Sequence, residues 1–356
     1  MSLFDTMLKD NESLFKNDIA LDFSFQPKLI KYRENEQRQI AACIAPLFQK
    51  RTGKNILVHS PPGFGKTIAV KHIFQEIEEE QEGVTPIYIN CWQKNTSFKI
   101  IIEICEQMGY KFTQNKKTEE LWKIIQQQLN KYAVVFAFDE IDKLEEFDIL
   151  YALLEEIYRK SIIFISNYKE WYNQLDERLR SRMILDLLEF KSYNEKEIAG
   201  ILEERKNFAF YDNVVEQEAF AAIVQKTLQT KDIRTGLHLL KEAGNIAELQ
   251  SSRKITKEHT EKAISKLDAL SVKQDLPLEE EDKALLELIK NNNGEKIGEL
   301  FKKFNDSGHI TAYKTFQRKI AKLEDASFIT TKKITGGLEG STTIIQYQSV
   351  KKLTEF

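Results

Sequence analysis

Apolar positions along this chain keep two rhythms in its first half and mainly one afterwards. Short runs with the length of buried strands stand at 55–58, 86–90, 133–138, 161–165 and 183–187. Segments whose apolar residues recur at helical spacing surround them, at 32–47, 68–82, 97–108 and 118–129. Strands apolar along their whole length, alternating with helices, predict an α/β domain with a mostly parallel sheet covered on both faces, over residues 26–190. From Ser192 the strand-like runs stop. Residues 195–207, 216–229, 233–249 and 257–267 are amphipathic at helical spacing and predict an all-helical unit over 191–268. Residues 269–277 read as a linker. The remainder, 276–356, gives three helices (282–290, 296–304, 312–324) and two β-rich segments (328–334, 342–347) around Gly336-Gly337-Leu338-Glu339-Gly340, the plan of a winged helix-turn-helix. Residues 1–25 hold no steady rhythm and read as a partly ordered N-terminal arm.

Composition narrows the class only slightly. A chain of 356 residues has room for two or three domains, and its formal net charge of −3 creates no global field that would attract nucleic acid. Cys43, Cys91 and Cys105 lie far apart, without metal-binding spacing, and read as reduced core thiols. No apolar run reaches the roughly 18 residues of a membrane span, and Met1-Ser2-Leu3-Phe4-Asp5 lacks the basic and apolar regions of a secretory leader. The expectation is a cytoplasmic, nucleoid-associated protein with no membrane partner.

The first chemical signal is Ser60-Pro61-Pro62-Gly63-Phe64-Gly65-Lys66-Thr67, set between the first strand and the helix that opens at Ile68. Strand, glycine-bearing loop and helix are the setting of a P-loop. Glycines let backbone N–H groups converge on phosphate oxygens, Lys66 places a cation on the β- and γ-phosphates, and the Thr67 hydroxyl ligates Mg²⁺. Ser60 stands where the pattern has its first glycine. The second signal is Phe138-Asp139-Glu140, where a buried strand delivers two carboxylates at its C-terminal edge. Asp139 suits the metal shell and Glu140 the polarisation of an attacking water. The fourth strand ends in Ser166-Asn167, whose amide can reach a γ-phosphate. Arg178, Arg180 and Arg182 then crowd five residues, either as a solvated face or as a group aimed at a neighbouring subunit's nucleotide. Lys231-Asp232-Ile233-Arg234 opens a helix and offers Arg234 to phosphate from the lid side. Tyr110 to Lys117 is basic and aromatic, a solvated loop or a backbone contact for nucleic acid.

The helix at 312–324 divides by angle. Tyr313, Phe316, Ile320 and Leu323 gather on one side at about 100° per residue, and Lys314, Arg318 and Lys322 on the other. Between Lys296 and Lys333 there are nine Lys or Arg against four Asp or Glu. An apolar face for its own domain and a cationic face for phosphates are what a recognition helix requires, with Lys332 and Lys333 at the base of the wing. A protein-docking winged helix is the alternative.

These pieces in this order resemble the Orc1/Cdc6 family of archaeal replication initiators, within the AAA+ superfamily. The resemblance rests on Tyr32-Arg33-Glu34 with Gln37, Ser60 to Thr67, Asn90-Cys91, Phe138-Asp139-Glu140-Ile141-Asp142-Lys143-Leu144, Ile165-Ser166-Asn167, Leu175-Asp176-Glu177-Arg178 through Ser181-Arg182, and Asp232-Ile233-Arg234. It implies ATP or ADP with Mg²⁺ as cofactors, and nucleotide contacts from Tyr32 and Arg33. It also implies a first sensor at Asn167, a second at Arg234, and an arginine finger at Arg182, with Arg178 as second choice. Double-stranded origin DNA, a replicative helicase and homologous initiator subunits are the implied partners, and a slow, switch-type ATPase is the implied activity. Lys231 departs from the family's usual glycine before Asp-x-Arg. The competing readings are a branch-migration motor, a transposition helper ATPase, or a non-hydrolysing nucleotide-bound regulator. Fast DNA-stimulated turnover would mark a motor, and the pair Glu140 and Asn167 argues against a pure binder.

Overall fold

The computed structural model describes residues 13–27, 29–80, 83–272, 280–309, 311–325, 329–336 and 340–347. They fall into two compact units, Met1–Ala263 and Ile264–Phe356. The first unit carries a five-stranded parallel sheet of β1 (Asn55–His59), β2 (Val84–Asn90), β3 (Ala133–Asp139), β4 (Lys160–Ser166) and β5 (Leu185–Glu189), in the order β2-β3-β4-β1-β5. Its first seven helices are α1 (Glu34–Ile44), α2 (Lys66–Glu80), α3 (Ser97–Gln107), α4 (Thr118–Leu129), α5 (Asp148–Glu156), α6 (Trp171–Gln174) and α7 (Glu177–Met183). Alternate residues of the strands feed two cores. Val134, Phe136 and Phe138 face α3 to α7, while Ala133, Val135 and Ala137 face α1 and α2. Because β4 lies between β1 and β3, the loops after these three strands open side by side at one edge of the sheet, where ligands of open α/β sheets bind.

Four further helices, α8 (Glu195–Ala209), α9 (Gln217–Thr230), α10 (Ile233–Leu249) and α11 (Lys257–Val272), form the all-helical part. Helix α8 opens with a reciprocal capping box between Asn194 and Glu197, and Asp232 caps α10 by accepting from the Arg234 N–H. Helix α11 continues to Val272, beyond the expected 267, since no glycine or proline interrupts it there; residues 273–279 of the expected linker lie outside the described ones.

Three details differ from the sequence reading. Helix α5 was hidden by its continuous apolar run Ile149-Leu150-Tyr151-Ala152-Leu153-Leu154, which lacks a polar face. The last strand begins at Leu185 rather than Met183, because Met183 ends α7 and Ile184 turns the chain at φ 38°. The arm, without periodicity in the sequence, packs onto the helical part in its described residues. Leu14, Ala20 and Leu21 are buried, and Arg205 of α8 donates to the carbonyls of Ala20 (3.0 Å) and Phe25 (2.9 Å). A buried guanidinium anchoring backbone carbonyls leaves no periodic trace, so this packing was illegible beforehand.

The second unit comprises α12 (Glu280–Asn291), α13 (Ile297–Asp306), α14 (Tyr313–Asp325) and an antiparallel pair, β6 (Ile329–Gly336) with β7 (Gly340–Tyr347). Leu285, Ile289, Leu300, Phe304, Phe316, Ile320, Leu323, Ile329 and Ile345 form its core. Three helices and a two-stranded hairpin make up the composition of a winged helix. Residues 337–339 of the expected wing tip, and the side chains of Lys332 and Lys333, lie outside the described ones.

Candidate nucleotide site and the C-terminal basic helix

A cavity of about 420 Å³ opens over the P-loop, between the sheet edge and the lid helices. Pro62 to Ile68, Asp139, Glu140, Asn167 and Arg234 all line it, so the structure brings together the signals read from separate stretches of sequence. Lys66 is buried, and its ammonium donates to the carbonyls of Ser60 (2.6 Å) and Pro61 (3.1 Å), to Ser60 Oγ (3.2 Å) and to Asn167 Oδ1 (3.0 Å). Burial pulls this amine down to about 8, against the opposing pull of Asp139, Asp142 and Glu140. A buried cation held largely by neutral oxygens fits an anionic ligand. Ser60, the departure from the glycine pattern, is buried without a positive φ, and its hydroxyl joins the shell of Lys66.

The other two loop glycines are required. Gly63 has φ +81°, and a Cβ there would stand 2.9 Å from Asp232 Oδ2 and closer still to its Oδ1 and Cγ. Gly65 has φ +86°, and a Cβ would stand 2.6 Å from the Tyr193 hydroxyl. The carboxylate that caps α10 thus rests on the P-loop backbone, and Arg234 follows it into the cavity. Its charge acts on both Lys66 and Glu140.

On the opposite wall, Asp139 Oδ2 accepts from the hydroxyls of Thr67 (2.8 Å) and Tyr88 (2.6 Å), while its Oδ1 accepts from the Glu140 N–H (2.9 Å). A hard divalent cation fits this oxygen pair: Thr67 and Asp139 would hold it, and it would neutralise phosphate charge. Glu140 follows at φ 52°, turned toward the cavity. Burial first, then the charges of Asp139 and Asp142, hold its carboxyl above the usual range. Asp142 also accepts from Ser166 Oγ (3.2 Å) and the Asn167 N–H (3.4 Å), tying the third strand's loop to the fourth.

Several residues stand elsewhere than expected. Tyr32 and Arg33 do not line the cavity. Arg33 is a brace: it donates to the carbonyls of Phe64 (3.0 Å) and Lys191 (2.6 Å), pairs with Glu36 (2.9 Å), and stacks 3.8 Å from the Tyr193 ring centroid. Four of its five N–H donors are taken by these partners, so the guanidinium joins the P-loop to the start of the lid. Arg178 and Arg182, read as aimed at a neighbouring subunit's nucleotide, are not among the residues that line this chain's own cavity; Arg182 pairs with Glu155 and stacks over Tyr151. Missed lining residues include Phe23, Leu29, Ile30, Tyr88, Tyr193, Ile201 and Leu237. The Tyr88-x-Asn90 alternation on β2 could have signalled one of them; the arm residues carried no signal.

In the second unit Phe316, Ile320 and Leu323 are buried, whereas Tyr313 is exposed, with its ring edge-on to Phe301. Lys314, Arg318 and Lys322 are exposed. Among the described residues Lys314 and Arg318 carry no ion pair, but Lys322 donates to Asp282 Oδ2 (2.7 Å) and Lys319 to Asp282 Oδ1 (2.9 Å). The free cationic row is therefore shorter than its spacing implied, because a buried carboxylate from α12 claims its third member. Burial would raise the Asp282 carboxyl, but the bonds from Lys322 and Lys319 outweigh it and hold it below the usual range.

The P-loop, the carboxylate pair and the helical lid over a parallel sheet define an AAA+ ATPase. Family models for an AAA domain and for a Cdc6 AAA+ ATPase-type lid domain match residues 49–188 and 199–265. ORC1-type DNA replication protein 2 of Methanothermobacter thermautotrophicus is 30% identical, over 96% of this chain and 93% of its own. The chain belongs to the ORC1-type DNA replication protein family. Its fold is similar to that of Aeropyrum pernix ORC1 in complex with DNA (TM-score 0.67, 22% identity, 96% and 94% coverage). It is also similar to that of Aeropyrum pernix ORC2 in its ADP form (TM-score 0.69, 17% identity, 94% of each chain). Among the described residues no helix is long and apolar enough to cross a membrane.

Proposed function

We propose that this protein is an initiator that binds duplex DNA at a replication origin and uses ATP as a slow conformational switch. The observation that carries this reading is the seating of the lid on the P-loop, through Asp232 over Gly63 with Arg234 beside Lys66 and Glu140. A lid in that position answers to what occupies the cavity. Lys66 and Arg234 bind the phosphates, Asn167 and Glu140 hold the lytic water, and Thr67 and Asp139 carry Mg²⁺, which supplies neutralisation of phosphate charge. Glu140 accepts the water's proton as the γ-phosphoryl group leaves. The enclosure favours retention of ADP and a single turnover over continuous cycling. Arg182, with Arg178 beside it, serves a neighbouring initiator subunit's nucleotide, and a replicative helicase is the downstream partner.

DNA is met by the exposed row of α14. Arg318 is the candidate base reader and Lys314 a phosphate contact, with Lys322 shared with Asp282 and Lys332 and Lys333 supporting from the wing. In the full chain, log affinity for duplex DNA should fall against log salt at about −0.9 per phosphate contact. Lys314→Ala should flatten that slope by about one unit on any sequence. Arg318→Ala should cost about 1 to 3 kcal/mol on the preferred site alone. Wild-type binding by both variants at every salt concentration would remove α14 from the DNA interface and leave the winged helix as a protein-docking module.

A further inference from the structure

The carboxylate of Asp139 is oriented by groups from three different elements. The Glu140 N–H belongs to its own turn, and Thr67 comes from the first turn of α2. The third donor, the phenol of Tyr88, comes from β2 and makes the shortest of these bonds, 2.6 Å. Strand register explains how it reaches. Tyr88 pairs with Ala137 and Asn90 with Asp139, so Tyr88, Ala137 and Asp139 share the face toward α2. The small Ala137 leaves room beside it for the ring, whose hydroxyl then arrives two residues further along β3. Lys71, one helical turn after Thr67 on the same side of α2, places its ammonium 4.6 Å from the ring centroid and covers the outer face.

We propose that Tyr88 is the positioning residue of the metal carboxylate, setting the orientation of Asp139 for a divalent cation shared with Thr67. The inference rests on the reading of Thr67 and Asp139 as metal ligands. The Thr67 hydroxyl would lend a lone pair to a cation while its O–H still donates to Asp139, and the Glu140 N–H comes from the residue next to Asp139 itself. The Tyr88 bond is the side-chain restraint from outside the ligand set. Restraints of this kind change metal affinity by about 10- to 100-fold when removed.

The test uses the full chain, with ADP and MgCl₂ as probes. ADP affinity is measured by calorimetry in EDTA and across a Mg²⁺ titration for wild type, Tyr88→Phe and Asp139→Asn. Tyr88→Phe keeps the ring and should raise the half-saturating Mg²⁺ concentration by about 10-fold or more, well beyond any change in ADP affinity in EDTA. An unchanged Mg²⁺ midpoint, or an equal loss of ADP affinity in EDTA, overturns the proposal and reduces Tyr88 to packing. Asp139→Asn separates the two layers. A wild-type Mg²⁺ midpoint in that variant overturns the metal-site reading and the inference with it. A shift in Asp139→Asn without one in Tyr88→Phe overturns the role of Tyr88 alone.

Discussion

Gly63→Ala probes the contact between lid and P-loop directly. At φ +81° an alanine is strained by about 1–2 kcal/mol. Its Cβ would also meet the Asp232 carboxylate, which must swing away and abandon the Arg234 N–H it accepts from at 2.8 Å. Losing that cap costs about 1 kcal/mol, so Gly63→Ala should destabilise the nucleotide-free protein by about 2–3 kcal/mol. Asp232→Ala loses the cap alone, about 1 kcal/mol. In the double variant the cap can be lost only once, so its destabilisation should fall short of the sum by about 1 kcal/mol. Urea midpoints of the four proteins, read by the circular dichroism of the helical lid, give this coupling. Additivity within about 0.3 kcal/mol would refute the claim that Asp232 rests on Gly63.

Other consequences are as direct. Lys231 caps α9 at φ 55°, a conformation that favours glycine, so Lys231→Gly should stabilise the helical unit by about 1 kcal/mol in the same urea assay. Asp282→Asn should weaken the C-terminal unit by about 2–3 kcal/mol, measured as a lower unfolding midpoint, through the two charged bonds it loses. Since the folded Asp282 carboxyl lies below its unfolded value of about 3.9, its contribution is present above that pH and lost as pH falls through the folded value. Asp282→Asn should therefore show a shallower acid transition. Glu140 must be ionised to accept a proton, and its raised range should make turnover fall on the acid side at a pH above about 4.3; a fall only below that value would argue against it as the base.

Much of the fold was legible because its signals are local. β3 is buried along its full length, and its apolar run ends at the two carboxylates that bind it to a function. Lys66, Asp139, Glu140 and Asn167 were readable because each sits at the C-terminal end of a strand or on the loop and helix start that follow it, and parallel topology carries such positions to one edge. Long-range packing was less visible. The apolar wall formed by Phe23, Leu29 and Ile30 comes from a segment without periodicity, held by Arg205 through backbone carbonyls. Arg33 was read as a nucleotide contact, whereas its guanidinium bonds the carbonyls of Phe64 and Lys191; sequence cannot tell a brace from a contact. Lys322 fits its helical row by angle, yet Asp282 in another helix claims its charge.

The most direct test of the nucleotide switch is the nucleotide that acid releases from freshly purified protein, identified and counted by chromatography. Wild type should yield close to one ADP per chain, Glu140→Gln should yield ATP in its place, and Lys66→Ala should yield neither. An empty wild type, or ADP from Glu140→Gln, would contradict a lid-closed ATPase that hydrolyses once and holds its product.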